Sequence, residues 1–233
     1  MLKLTHIVTG TGRCGTLFAA NFLTSAGMPC SHEAVFTPGG LEFAERVFLG
    51  NENVVNSDIS RGNNLSEYES DIVADSSYMA APFLEKFPDT KVIHIVRNPM
   101  MVVKSFLGFG YFTQPFPANP INNGDHIKYE EFMYSHLPEL TEEMPQIDRA
   151  CLYWANWNEL IEGSGRVEYR HRIEDSVDGL SNFLGSQGTY RNTKCNSFGD
   201  GIKWRLSNIQ SNHVKQRLRD VAKRYGYLSI LFD

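Results

Sequence analysis

Four cysteines stand among the 233 residues, Cys14, Cys30, Cys151 and Cys195, with no Cys-x-x-Cys pair and no cysteine and histidine set at metal-ligand spacing. That scarcity excludes a zinc module and a disulfide scaffold, and it predicts reduced thiols and no bound metal. Long apolar runs are also missing. The opening MLKLTHIVTGTG reaches a glycine after nine residues, too few for a signal core or a membrane span. The chain therefore reads as soluble and cytoplasmic, with no membrane contact. Positive charge is not in excess either. Lys and Arg number 22 against 27 Asp and Glu, a net charge of −5, which excludes a nucleic-acid partner held by bulk charge. Any anion site must be local.

What is present suffices for a full core: 42% of the residues are hydrophobic and 12% aromatic. The expectation is one α/β domain over 1–233, a central parallel sheet flanked by helices. Residues 2–9 read as a buried strand ending at Gly10, and 16–26 place Phe18, Ala19, Phe22, Leu23 and Ala26 on one helical face before Gly27. A second candidate strand covers Asn53–Ile59, ahead of a polar loop. Met79–Phe87 reads as helical, and the β-branched run Lys91–Val96 as a strand buried on both faces. Asn98 then suits a helix N-cap and Pro99 the first helical position, which leaves Arg97 at the carboxyl end of a central strand, where open α/β sheets bind ligands. Segment 108–147 mixes five prolines with aromatics and reads as a lid or acceptor-binding insertion. A helix over 150–161 with Trp154 and Trp157, a strand at Val167–Arg170, a helix at Ser176–Leu184 and an amphipathic helix from Val214 to Tyr225 complete the pattern.

A glycine-rich turn between strand and helix offers backbone N–H groups and the positive helix end to an anion, so Gly10-Thr11-Gly12-Arg13-Cys14-Gly15-Thr16 is the first candidate site. In a nucleoside-triphosphate loop, Lys and then Ser or Thr follow the second glycine, for the phosphates and for magnesium. Here Thr16 and Leu17 follow Gly15, leucine cannot ligate a metal, and the cation has moved to Arg13. A phosphatase loop would use Cys14 as nucleophile, with an arginine six residues later. That position is Ala20, so Cys14 reads as a small loop residue.

The stretch Gly12-Arg13-Cys14-Gly15-Thr16 resembles the 5′-phosphosulfate loop of sulfotransferases that use 3′-phosphoadenosine 5′-phosphosulfate (PAPS), with Cys14 in the usual serine position. Val92-Ile93-His94-Ile95-Val96-Arg97-Asn98-Pro99, with Ser105 eight residues after the arginine, resembles the family's 3′-phosphate motif. Gly199-Asp200-Gly201-Ile202-Lys203-Trp204-Arg205 is fainter and is similar to the glycine-containing loop that closes over the nucleotide in relatives. The resemblance implies a P-loop nucleoside triphosphate hydrolase-like sulfotransferase fold and a metal-independent transfer of the sulfuryl group from PAPS. The product would be adenosine 3′,5′-bisphosphate (PAP). Gly12, Arg13, Cys14, Gly15, Thr16 and Leu17 would hold the 5′ side of the donor, Arg97 and Ser105 the 3′-phosphate, and Lys203 and Arg205 could reach that phosphate as well.

Arg13 would then stabilise charge on the leaving phosphate, and the acceptor must give its proton to a base. Glu33, in Pro29-Cys30-Ser31-His32-Glu33, occupies a place where some sulfotransferase branches carry a catalytic Glu. The small-molecule branch uses the His of a Lys-Thr-His element, and the corresponding Asp75-Ser76-Ser77 lacks it, which makes Asp75 a second candidate. His32 is a third, or orients Glu33. His94, inside a strand, reads as a core histidine. Two other readings stay open: a P-loop small-molecule or nucleotide kinase, and a non-catalytic module that binds the bisphosphate. A carbohydrate or small-molecule acceptor is the expectation, with aromatics such as Phe109, Tyr111, Phe112, Phe116, Tyr129, Phe132 and Tyr134 available to stack on it. The apolar tail Leu228–Phe232 could form a homodimer contact.

Overall fold

The structure is a computed structural model and describes residues 4–38, 41–42, 44–45, 72–113, 125–186 and 201–229. Its contacts divide the chain into two compact units, each drawn from two stretches of sequence: Met1–Val96 with Leu160–Cys195, and Arg97–Glu159 with Asn196–Asp233.

The first unit holds the sheet. Among the described residues five strands, β1 (His6–Gly10), β2 (Cys30–His32), β3 (Ala74–Ser76), β4 (Lys91–Val96) and β5 (Val167–Arg172), lie in the order β2-β3-β1-β4-β5, and every neighbouring pair is parallel. Helix α1 (Thr16–Ser25) covers one face. Phe18, Ala19, Phe22 and Leu23, at the helical spacing read from the sequence, pack on Val8, Cys30, Ala74, Ile93 and Ile95. Leaving four such aromatic and aliphatic side chains in water would cost roughly 2 kcal/mol each, so this face explains why the weak propensities of a ten-residue helix suffice. On the opposite face His94 is fully buried and its Nδ1 lies 2.7 Å from Glu162 Oε1, a core histidine with a partner. Burial would raise the Glu162 carboxyl, but the bonds from His94 and Arg170 outweigh it and hold the group at about 2.

The chain leaves β1 toward β2 and leaves β4 toward β5, in opposite directions across the sheet. In an open α/β sheet such a reversal opens a crevice at the carboxyl ends of the strands concerned. The glycine loop begins there, at Gly10.

The second unit is built on α2 (Pro99–Gly108), α3 (Asp125–His136), most of α4 (Gln146–Gly163) and α6 (Asn212–Arg224). Phe106, Phe112 and Tyr153 meet with ring centroids 5.1 to 5.7 Å apart, and Trp157 packs against Tyr153 at 5.2 Å with the rings tilted. Within 108–147, Phe112 and Phe132 are thus core residues. Tyr227 is buried, whereas residues 230–233 lie outside the described residues. Arg217 and Arg224 both pair with Glu159, so part of the basic face of α6 is internally neutralised.

Three elements differ from the sequence reading. Cys30–His32, to which the sequence reading assigned no element, is a strand, because pairing with β3 extends it. Tyr78–Lys86 is a 3₁₀ helix with Pro82 inside, whose missing N–H cannot serve an α-helical ladder. Helix α3 lies within the segment read as irregular. The remaining elements agree within a few residues, the last short helix being α5 (Asp178–Leu184). Asn53–Ile59 falls outside the described residues. No helix among them is long and apolar enough to cross a membrane.

Candidate active site

The loop after β1 is shaped by sterics before any ligand is considered. A Cβ on Gly10 would overlap the Ile95 carbonyl oxygen and stand 2.5 Å from Cys14 Sγ, so glycine there lets the loop fold back against β4. Cys14 is fully buried, with its N–H donating to the Thr11 carbonyl at 3.2 Å. That placement suits a packing residue better than an exposed nucleophile. Gly15, at φ 110°, turns the chain into α1, and the helix ladder starts with Ala19 N–H to Gly15 O at 3.0 Å. Arg13 is half-buried and also lies in the left-handed region, at φ 67°.

Around this loop the structure assembles three of the residues nominated from sequence. Thr16 Oγ1, at the first position of α1, lies 3.0 Å from His32 Nε2, and the same nitrogen is 3.7 Å from Glu33 Oε1. The carboxylate therefore stands beside the imidazole that contacts the start of α1. Ser76, which sequence reasoning passed over, donates to the Thr16 carbonyl at 2.8 Å from the carboxyl end of β3. Glu33 sits at φ 54°, one of three non-glycine residues with positive φ among the described residues; Arg13 and Phe112 are the others. Such strain costs of order 1 kcal/mol or more and persists where surrounding bonds over-determine it.

Asp75 is placed differently. It is fully buried at the middle of β3, and its Oδ1 accepts from Ser31 Oγ at 2.6 Å and from Ala34 N–H at 3.3 Å. Oδ2 has no hydrogen-bond partner of proper geometry.

The phosphate-motif residues belong to the second unit. Arg97 is half-buried, and its carbonyl takes the Trp154 indole N–H at 3.1 Å. Asn98 caps α2 as expected, its Oδ1 accepting from Met100 N–H at 2.8 Å, and Ser105 is buried on the same helix. Trp204 donates its indole N–H to the Met100 carbonyl at 3.0 Å. That bond brings the 203–205 stretch to the first turn of α2, with Lys203 and Arg205 exposed on either side of the buried Trp204. Two tryptophans thus organise the turn that Arg97 opens. The sequence showed them only as aromatic residues, and their carbonyl partners lie 57 and 104 residues away. Gly199 and Asp200 fall outside the described residues.

No family model and no curated protein sequence matches the chain. Among solved structures, a sulfotransferase from Alicyclobacillus acidocaldarius is similar to it, at a TM-score of 0.44 and 14% identity over 98% of this chain and 95% of that one. Among the described residues, no group of three His, Cys, Asp or Glu side chains is arranged to hold a metal ion.

Asp75 and His32 titrate with opposite signs. Burial raises the Asp75 carboxyl from 3.8 to about 6, against the Ser31 hydroxyl, the Ala34 amide, His32 and a weaker Val35 contribution. Because the folded state binds this proton more tightly than the unfolded chain, the stability it contributes is full below about pH 4 and is lost as pH rises through 6. Burial lowers His32 from 6.5 to about 4, opposed by Asp75 and assisted by Arg13. That imidazole costs stability as pH falls from 6.5 toward 4, less than its shift implies because a quarter of the side chain is exposed. Asp75→Asn removes the first effect and, by taking away the charge that opposes the lowering of His32, slightly deepens the second. Urea denaturation at about pH 4 and about pH 7.5 is expected to show the variant gaining roughly 3 kcal/mol on the wild type across that interval. An unchanged gap would mean that Asp75 ionises as an ordinary carboxyl.

Proposed function

We propose that the chain is a sulfotransferase that moves a sulfuryl group from PAPS to a hydroxyl or amine of a carbohydrate or small-molecule acceptor. The observation that carries this reading is the meeting of a cation-bearing glycine loop with a carboxylate at the start of α1. Arg13 stands in the loop, and Glu33 lies beside the His32 imidazole that contacts Thr16. The loop also suits an anion. Thr11, between its glycines, keeps a fully buried hydroxyl without a partner, an unmet donor that a bound phosphate would satisfy.

In this reading the amides of Gly12, Gly15 and Thr16 and the positive end of α1 bind the 5′-phosphosulfate, with Cys14 and Leu17 beside them. Arg97 and Ser105 bind the 3′-phosphate, and Lys203 and Arg205 assist. Glu33 takes the acceptor's proton as the new bond to sulfur forms. The sulfur–oxygen bond to phosphate breaks, its electron pair stays on the leaving phosphate, and Arg13 stabilises that charge. His32 is neutral at pH 7, held at about 4 by burial. The 108–147 segment contributes to the acceptor side.

Thermal stability with PAP, against adenosine 5′-phosphate and Mg-ATP, tests the donor site without knowledge of the acceptor. At a hundred times the dissociation constant, binding adds about 2.7 kcal/mol, so a rise of roughly 5–10 °C is expected with the bisphosphate alone. Arg97→Ala is expected to remove most of it. Stabilisation by Mg-ATP alone would overturn the sulfotransferase reading in favour of a kinase.

A further inference from the structure

We propose that Asp75 is a positioning residue: its buried carboxyl ties the turn after β2 to β3 and so holds Glu33 in the left-handed conformation that carries its carboxylate to His32 and the phosphate loop. The inference rests on Glu33 being the base of the proposed reaction.

Three bonds stitch the turn, and all three end on β3. Ser31, two residues before Glu33, donates to Asp75 Oδ1; Ala34, one residue after it, donates to the same oxygen; and the Glu33 N–H itself donates to the Ser76 carbonyl at 3.1 Å. Asp75 therefore brackets Glu33 on both sides. A glutamate at φ 54° has no intrinsic reason to stay there, and the bracket supplies one. Removing the carboxyl would strand a buried amide and a buried hydroxyl, and the turn would relax to serve them.

The same geometry argues against Asp75 as the proton acceptor. Successive side chains of a strand point to opposite faces, and it is Ser76 that faces α1, bonded to the Thr16 carbonyl. Asp75 thus occupies the other face, fully buried, with Oδ1 already committed to two donors. Its importance lies in where it holds Glu33.

A double-mutant cycle followed by thermal unfolding without ligand tests the claim. Glu33→Gly relieves the left-handed strain and is expected to raise Tm by a few degrees in the otherwise native chain. In an Asp75→Ala background the turn is free to relax, and the rise should vanish. Asp75→Asn keeps a carbonyl oxygen for Ser31 and Ala34 and should restore it. An equal rise in all three backgrounds would overturn the proposal. If Asp75→Ala does not fold, Ser31→Ala, which strips one of the two bonds, should shrink the rise, and an undiminished rise there would overturn it as well.

Release of PAP from PAPS, with water as acceptor, supplies a readout that a merely structural role would not move. Asp75→Ala is expected to lose kcat at least tenfold with KM for PAPS unchanged, and Asp75→Asn to recover to within about threefold of wild type, while Glu33→Gln loses at least a hundredfold. A loss in Asp75→Asn as deep as in Glu33→Gln would make Asp75 a base and end the positioning role. A native chain that ignores PAP would instead sink the proposed function, and the ligand-free cycle would still decide whether Asp75 holds the turn.

Discussion

Alanine at Gly10 is expected to destabilise the protein by about 3 kcal/mol and to abolish the thermal response to PAP. The added Cβ would fall inside the contact distance of the Ile95 carbonyl oxygen, which is backbone in the centre of the sheet, and 2.5 Å from Cys14 Sγ. Neither neighbour can step aside cheaply. The carbonyl belongs to the β1–β4 pairing, where Gly10 stands opposite Ile95, and the thiol is enclosed. The loop would have to lift off β4, carrying Arg13 with it. Gly27→Ala is the matched control. Unlike Gly10 it sits in the left-handed region, at φ 83°, but its Cβ would meet nothing within 4 Å, so only the backbone cost of about 1 kcal/mol applies. Urea denaturation of both variants checks the ordering. A Gly10→Ala protein no less stable than Gly27→Ala would mean that the loop does not fold back on β4.

Glu33→Gln is expected to lower kcat for PAPS turnover by about 10²–10⁴-fold while leaving the thermal shift with the bisphosphate intact. Glutamine preserves shape and the capacity to face His32, but it cannot take a proton. The split between turnover and binding distinguishes a catalytic base from a residue that holds the nucleotide, and it also separates an enzyme from a module that only binds. A loss under tenfold would move the base to His32, which stands between Glu33 and Thr16.

Much of the fold was legible because its signals are local. The β-branched run Lys91–Val96 is β4 to the residue, and the Asn-Pro pair after Arg97 starts α2 as capping chemistry requires. The glycine loop was legible for the same reason, since only glycine meets a close backbone approach at one end and φ 110° at the other. Helix α3 was not. Its sequence, DHIKYEEFMYSH, carries only a weak apolar stripe, and it lies in a stretch whose prolines and scattered aromatics mask the period. Strand β2 was not either, because three residues are too few to show alternation.

Residue types and spacing in the sequence alone determined that an α/β sheet would present a glycine loop with Arg13, an arginine at the end of β4 and a short list of carboxylates. Only the tertiary structure sorted that list. Thr16 and His32 are 16 residues apart, and Ser31 and Asp75 are 44 apart. Those distances close only when β2 pairs with β3 and β3 with β1, a strand order that no local preference encodes. Pairing also sets which side chain of β3 faces α1, because alternation assigns Ser76 to one face and Asp75 to the other. Glu33 is thereby directed to the loop and Asp75 to the interior, two acids of the same chemistry separated by the register of a three-residue strand.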